Sequence, residues 1–334
     1  MRITRDFLLN TAKDHVSKRT RSERDLLAAY LVGSVLRDEP LLGGTTDIDL
    51  ILIHAGDPKV SREMVRVNED VHLDIAHHSE VMYQQPRALR VNPWLGTAVQ
   101  DHPALLYDVR HWFEFTQASA GAQFYRSDQT LARSRCFLDS ARAAWAELND
   151  SKAPFAKKLR KYMCAVEDAA NAAASLAGSP LTRRRFLLDL PGRCAEIDAA
   201  GLIPGMVNLL QLQDVTGEFI TKVLPDWEKT FRAAGSVEQA PADLHILRLG
   251  YYRRAIEACL ADEEILAAAF PLFSTWSKAA ACLPVASPEY AAWLNTLKEM
   301  GLGREQLAEK VEALDAYLDH VEEVLESWGS KYGA

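Results

Sequence analysis

The stretch that decides the fold is Leu31 to Leu52, LVGSVLRDEPLLGGTTDIDLIL, read together with VHLDIAHH at Val71 to His78. An apolar run, AAYLV, closes on Gly33-Ser34, passes a short polar and Gly-rich segment, and resumes as TTDIDLILI at Thr45 to Ile53. Residues two apart on a strand project to one face. A strand through DIDL therefore sends Asp47 and Asp49 one way and Ile48 and Leu50 the other. Asp74, in LDI, puts a third acid on a further strand. Three carboxylates held together repel one another unless a cation joins them. The grouping reads as a site for a hard divalent ion, which takes oxygen ligands from carboxylates and substrate phosphates.

Gly33-Ser34 ends one strand and opens a short helix in this reading. Glycine lets backbone approach a ligand closely. A helix N-terminus offers free N–H groups to an anion, and the Ser34 hydroxyl adds a donor. The terminal phosphates of a nucleoside triphosphate suit such a place. Arg37 follows one turn later, where a phosphate contact and an ordinary solvated arginine are both open. Gly-Ser after a strand says little alone, and so does DxD. Their combination with LDI at Leu73 to Ile75 says much more.

That combination resembles the DNA polymerase β-like nucleotidyltransferase superfamily. Within it the chain looks like the small bacterial branch of aminoglycoside (kanamycin-type) and lincosamide nucleotidyltransferases and minimal nucleotidyltransferase antitoxins. The family pattern is hG(G/S), a spacer, (D/E)h(D/E)h and a later acid, h being hydrophobic. Here it reads VGS at Val32 to Ser34, DIDL at Asp47 to Leu50, and LDI, within residues 25 to 110. The resemblance implies that Gly33 and Ser34 bind triphosphate and that Asp47 and Asp49 bridge two magnesium ions, with manganese an alternative. It implies that Asp74 completes the second metal site or acts as base toward an acceptor hydroxyl. Thr45 and Thr46 stand where the family often has Ser, so Thr46 either contacts phosphate or starts the strand. Minimal members often read GSxARG. Here Arg37 matches but Asp38 replaces the Gly, which weakens an equation with the antitoxin group.

The bulk numbers bound the rest. The chain has 334 residues, enough for two domains at roughly 100–200 residues each. Hydrophobic residues make up 48%. The net charge is -8 and the pI about 5.7, against the basic field of a general nucleic-acid binder. Five scattered cysteines without CxxC spacing read as reduced and mostly buried. With no signal-peptide pattern and no run of about 18 apolar residues, a cytoplasmic protein without a membrane partner is expected.

Composition changes near residue 115. Before it lie strand-like runs, AAYLVGS, DIDLILIH, VHLDIAHH and ALLYDV. After it the pattern is helical. The expected fold class is α+β: a small mixed-sheet nucleotidyltransferase domain over 1–117, then an all-helical bundle over 118–334 that covers the nucleotide and shapes the acceptor pocket. Helices are expected at 129–148, 153–176, 183–200, 204–224, 243–270, 288–300 and 304–328, punctuated by Pro and Gly. The last repeats apolar residues at Leu307, Val311, Leu314, Leu318, Val321 and Leu325. That four-three spacing fits packing inside the chain's own bundle or the seam of a homodimer.

In the helical half, Lys157, Lys161, Cys164 and Asp168 share a face. Lys161 is a candidate triphosphate ligand and Glu167 or Asp168 a candidate general base, against a solvated charged face with i,i+4 pairs. Arg183, Arg184 and Arg185 at a helix start oppose the dipole, so an acid of the chain or a ligand phosphate should compensate them. His72, His77 and His78 flank Asp74, but neighbours on a strand point to opposite faces, so a zinc site is disfavoured. Trp94, Tyr107, Trp112, Phe113 and Phe115 read as core between the two halves, with adenine stacking by one of the rings the alternative.

The expected activity is transfer of a nucleoside monophosphate, AMP from ATP or another NTP, to a hydroxyl of a small polar, aminoglycoside-like acceptor with release of pyrophosphate. The alternatives are nucleotidylation of a protein or tRNA, and a nucleotide-binding antitoxin-like or regulatory protein with little turnover.

Overall fold

The computed structural model describes residues 3–150, 152–238 and 240–334. The chain forms two compact units, Met1–Tyr125 and Arg126–Ala334. The first is α+β, the second all helical.

The first unit is built on a five-stranded mixed sheet of order β3-β4-β2-β1-β5. Its strands are β1 Leu26–Val32, β2 Ile48–His54, β3 Arg62–Arg66, β4 His72–Ser79 and β5 Ala104–Asp108. Only β2 and β4 run parallel, and β1 pairs antiparallel with both β2 and β5. The central strand β2 is apolar on both faces, as a strand covered on both sides must be. Ile48, Leu50 and Leu52 pack with Leu8, Ala12 and Val16 of helix α1, Arg5–Ser22. Ile51 and Ile53 face the other way, against Tyr83, Leu89, Val99 and Phe113. Those residues come from the 3-10 turn Glu80–Tyr83 and from helices α2 Pro86–Val91, α3 Leu95–Gln100 and α4 Trp112–Gly121. Burying each such side chain is worth about 1.5–3 kcal/mol, so β2 is the strand the unit is least able to shift.

Helix α4 belongs wholly to the first unit, so the domain boundary expected at 117 falls inside it. The aromatic cluster is not all core. Phe113 is buried, but Trp94 is 50% exposed and Phe115 71%. Phe113 and Phe115 lie two apart, about 200° around a helix, so only one can face the sheet. Trp112 and Phe115 instead line a 560 Å³ groove with Leu27, Tyr83 and Arg110.

The second unit comprises α5 Ser127–Asp150, α6 Phe155–Ala174, α7 Phe186–Glu196, α8 Leu202–Leu209, α9 Gly217–Gly235, α10 Leu247–Ala261, α11 Ile265–Ala280, α12 Pro288–Glu299 and α13 Leu307–Tyr332. Two expected helices are each broken in two. The span 204–224 divides between α8 and α9, and 243–270 divides at Glu263, which adopts a φ of 61°. Conversely, Pro191, Pro225 and Pro271 lie inside helices rather than ending them. The seam of α13 is buried along its whole length, within the unit. Trp145 Nε1 donates to the Val311 carbonyl at 3.0 Å, and Arg142 of α5 reaches Asp315, Asp319 and Glu322 of α13. Three buried indoles are each satisfied, as buried Trp requires: Trp227 donates to Thr275, Trp276 to Thr230 and Trp293 to Ser277. Of the cysteines only Cys194 and Cys259 are buried, and burial pushes both thiols up to about 11. Among the described residues, no helix is long and apolar enough to cross a membrane.

Candidate active site: a carboxylate triad at the end of the sheet

Strand register assembles the site. Val32 of β1, Asp49 of β2 and Asp74 of β4 are Cα partners in one row across the sheet. Asp47 departs from expectation: it lies just before β2, which begins at Ile48. Even so, one carboxylate oxygen from each of Asp47, Asp49 and Asp74 lies within 4.8 Å of the others. Asp47 and Asp74 are 2% and 3% exposed. Buried carboxylates at this spacing need cationic or hydrogen-bonding company.

The loop ahead of β2 is set by its glycines. Leu42 and Thr45 exchange two backbone hydrogen bonds, Leu42 N to Thr45 O at 3.2 Å and Thr45 N to Leu42 O at 3.4 Å. Gly43 and Gly44 between them adopt φ of 62° and 71°. A tight turn of type I′ needs positive φ at both central positions. The turn delivers two buried threonines. Thr45 Oγ1 donates to the Asp70 carbonyl, tying the loop to the approach of β4, and Thr46 Oγ1 hydrogen-bonds Ser34 Oγ. Asn68 Oδ1 accepts from Asp70 N and Val71 N at 2.8 Å each, which fixes the entry to β4.

Gly33 opens a 3-10 turn, Gly33–Leu36, with φ +77°. A Cβ built there would overlap Asp49 Oδ2 and stand 3.2 Å from Asp49 Cγ. Glycine is thus required twice, for the left-handed backbone and because the turn lies against the Asp49 carboxylate. Gly33 thus lies against Asp49, and Ser34 follows it in the turn. Arg37 follows the turn, its backbone N–H bonded to Ser34 O at 3.1 Å.

The residue that sequence reasoning missed is Arg62. Its Nε donates to Asp74 Oδ1 at 2.5 Å and its Nη2 to Asp74 Oδ2 at 2.6 Å, a two-pronged charge-assisted pair. Arg62 lies on edge strand β3, whose register puts Met64 opposite Asp74 and Arg62 diagonal to it. The Asp74 side chain is 1% exposed and that of Arg62 45%.

The histidines divide as strand alternation requires. His77 bonds His54 (2.9 Å) and Glu63 (3.2 Å), and His54 also reaches Asp25, on the α1 side of the sheet. His78 Nδ1 bonds Tyr83 Oη at 2.6 Å on the opposite side, and Tyr83 bonds Tyr30 at 3.0 Å. Burial pushes both tyrosines up and holds His78 down at about 4, so it stays neutral. No zinc set forms from His72, His77 and His78. Among the described residues, the other trio within reach of an ion is Asp108, His111 and Glu114, where Asp108 caps a helix by accepting from Phe113 N at 2.9 Å and Glu114 N at 3.2 Å.

Lys161 and Glu167 belong to the second unit. Lys161 ion-pairs with Glu147, and Glu167 accepts from Arg183 Nη2 at 3.3 Å. Arg183 also reaches Asp243, so acids of the chain compensate it. Asp168, the other candidate base, accepts from Ser140 Oγ at 2.8 Å, and burial lifts it to about 6. That is a suitable range for a general base near neutrality.

No protein-family model matches the chain, and no curated protein matches it. Among solved structures it is similar to a nucleotidyltransferase-like protein from Exiguobacterium sibiricum 255-15. The identity is 10% and the TM-score 0.32, over 93% of this chain and 90% of that chain.

Proposed function

We propose that this protein is a metal-dependent nucleotidyltransferase that moves a nucleoside monophosphate from ATP or another NTP to a hydroxyl of a small polar acceptor. The observation that carries the reading is the triad itself: three carboxylates within 4.8 Å, two of them buried, against a glycine turn that leaves no room for a side chain. The motif order VGS, DIDL, LDI supports it.

The donor set fits a hard divalent cation, since every ligand atom on offer is a carboxylate oxygen. Asp47 and Asp49 would hold magnesium, or manganese, with Asp74 on the second position. When bound, the metal lowers the cost of negative charge building on the α-phosphate and the leaving pyrophosphate. The chain's own residues do the rest. Gly33 and Ser34 hold the terminal phosphates, with Thr46 fixing the Ser34 hydroxyl. Arg37 is the nearby cation for a phosphate oxygen. Asp74 orients the acceptor hydroxyl.

The acidic balance of the chain agrees with a cationic, aminoglycoside-like acceptor. The test is mass spectrometry of products after incubation with labelled ATP, magnesium and a library of metabolites and antibiotics. A gain of one nucleotidyl mass on one compound supports the reading. Modification of the protein itself or of tRNA, with the library untouched, moves the acceptor to a macromolecule. Labelled ATP that stays intact throughout favours an antitoxin-like nucleotide binder.

A further inference from the structure

The third acid carries a guanidinium where a cation would sit. Both oxygens of Asp74 bond to Arg62, and the Asp74 side chain has almost no access to water. A divalent ion reaching those oxygens must share them with the guanidinium or displace it. Like charges at such separation repel strongly. The guanidinium already offsets part of the negative charge that the three carboxylates bring together. With the guanidinium in place, a further divalent ion meets its repulsion as well as that of the first ion. A bound triphosphate removes that penalty and offers the oxygen pairs that guanidinium binds two-pronged. The Arg62 side chain is 45% exposed on an edge strand, so it can turn without unpacking the core.

We propose that Arg62 is a built-in counter-ion that competes with a divalent cation for Asp74 and passes to the phosphates when the nucleotide binds. It rests on the nucleotidyl-transfer reading and adds an order of events. The free protein takes one divalent ion, and Asp74 becomes available to a second when nucleotide draws Arg62 away. Arg62 is a positioning residue in this scheme.

The test measures Mn2+ affinity by EPR without nucleotide, then α,β-methylene-ATP affinity by calorimetry at saturating Mn2+. Arg62→Met should tighten Mn2+ at least tenfold and weaken the analogue about tenfold. Arg62→Lys keeps the charge but loses the two-pronged grip. It should tighten Mn2+ several-fold, and it decides the matter if Arg62→Met does not fold. A merely structural arginine would not move the two affinities in opposite directions. Unchanged or weaker Mn2+ binding in both variants, with the wild type binding Mn2+ through Asp49, overturns the role of Arg62 and leaves the metal site standing. Absence of Mn2+ binding in wild type and both variants overturns the metal site, and the inference with it.

Discussion

Replacing Gly33 by alanine isolates the contact on which the site turns. Two costs are separable. A left-handed φ costs a non-glycine residue about 1–2 kcal/mol, and Gly33 has φ +77°. Overlap of the new Cβ with Asp49 Oδ2 adds an overpacking cost of about 1–3 kcal/mol. The relief is a shift of the Asp49 carboxylate, and a misplacement of about 1 Å at a reacting centre costs about 10²-fold in rate. Gly44 supplies the control, with φ +71° and nothing within 4 Å of an added Cβ. Gly44→Ala should lose about 1–2 kcal/mol and little turnover. Gly33→Ala should lose about 2–5 kcal/mol and about a hundredfold in turnover. Each kcal/mol moves Tm by about 3–5 °C in a unit of this size. Thermal melts and initial rates of pyrophosphate release, both variants in parallel, make the comparison. Equal losses of activity in the two would refute the argument that Gly33 is kept bare for Asp49.

Asp168 gives a pH prediction. Its folded value of about 6 lies above the ordinary 3.8, because burial disfavours its charge. The folded state therefore binds the extra proton, and stability falls as pH rises from about 4 through about 6. Asp168→Asn keeps the Ser140 partner and removes the titration, so urea melts should find it more stable than wild type at pH 7 and equal near pH 4. An equal margin at both values contradicts this. Tyr83→Phe removes a hydroxyl bonded to both Tyr30 and His78. It should cost about 1–3 kcal/mol with turnover within about twofold of wild type, and a larger loss of rate than of stability would place Tyr83 in the chemistry.

The two-part architecture and the triad were legible because they rest on short-range pattern. Alternation put Ile48, Leu50 and Asp49 on their correct faces, and β2 and β4 then matched Asp49 to Asp74 in register. Asp47 was read as part of the strand, though it precedes it. Its carboxylate nevertheless lies with those of Asp49 and Asp74. Arg62 was illegible for a physical reason. Strand β3, REMVR, is an exposed edge with charged ends, and such strands carry little apolar periodicity. The signal it does carry is a cation in a short β-prone run next to the acid-bearing strand. The helix break at Glu263 carries no Pro or Gly, whereas the one between α8 and α9 is marked only by Thr216-Gly217 at the start of α9. The prolines that drew attention lie inside helices. Hydrophobicity alone misplaces Phe115, because only one face of α4 meets the sheet, and Trp94, which precedes α3 and is half exposed.

A metal site for nucleotidyl transfer at Asp47, Asp49 and Asp74 is tested by pyrophosphate release from each of the four NTPs with magnesium and a broad acceptor panel, comparing wild type with Asp49→Asn. Release with at least one acceptor is expected, with dependence on magnesium and a loss of at least a thousandfold (about 4 kcal/mol of barrier) in the variant, whose Tm stays near that of wild type. No pyrophosphate from any NTP, or an Asp49→Asn protein as active as wild type, would contradict it.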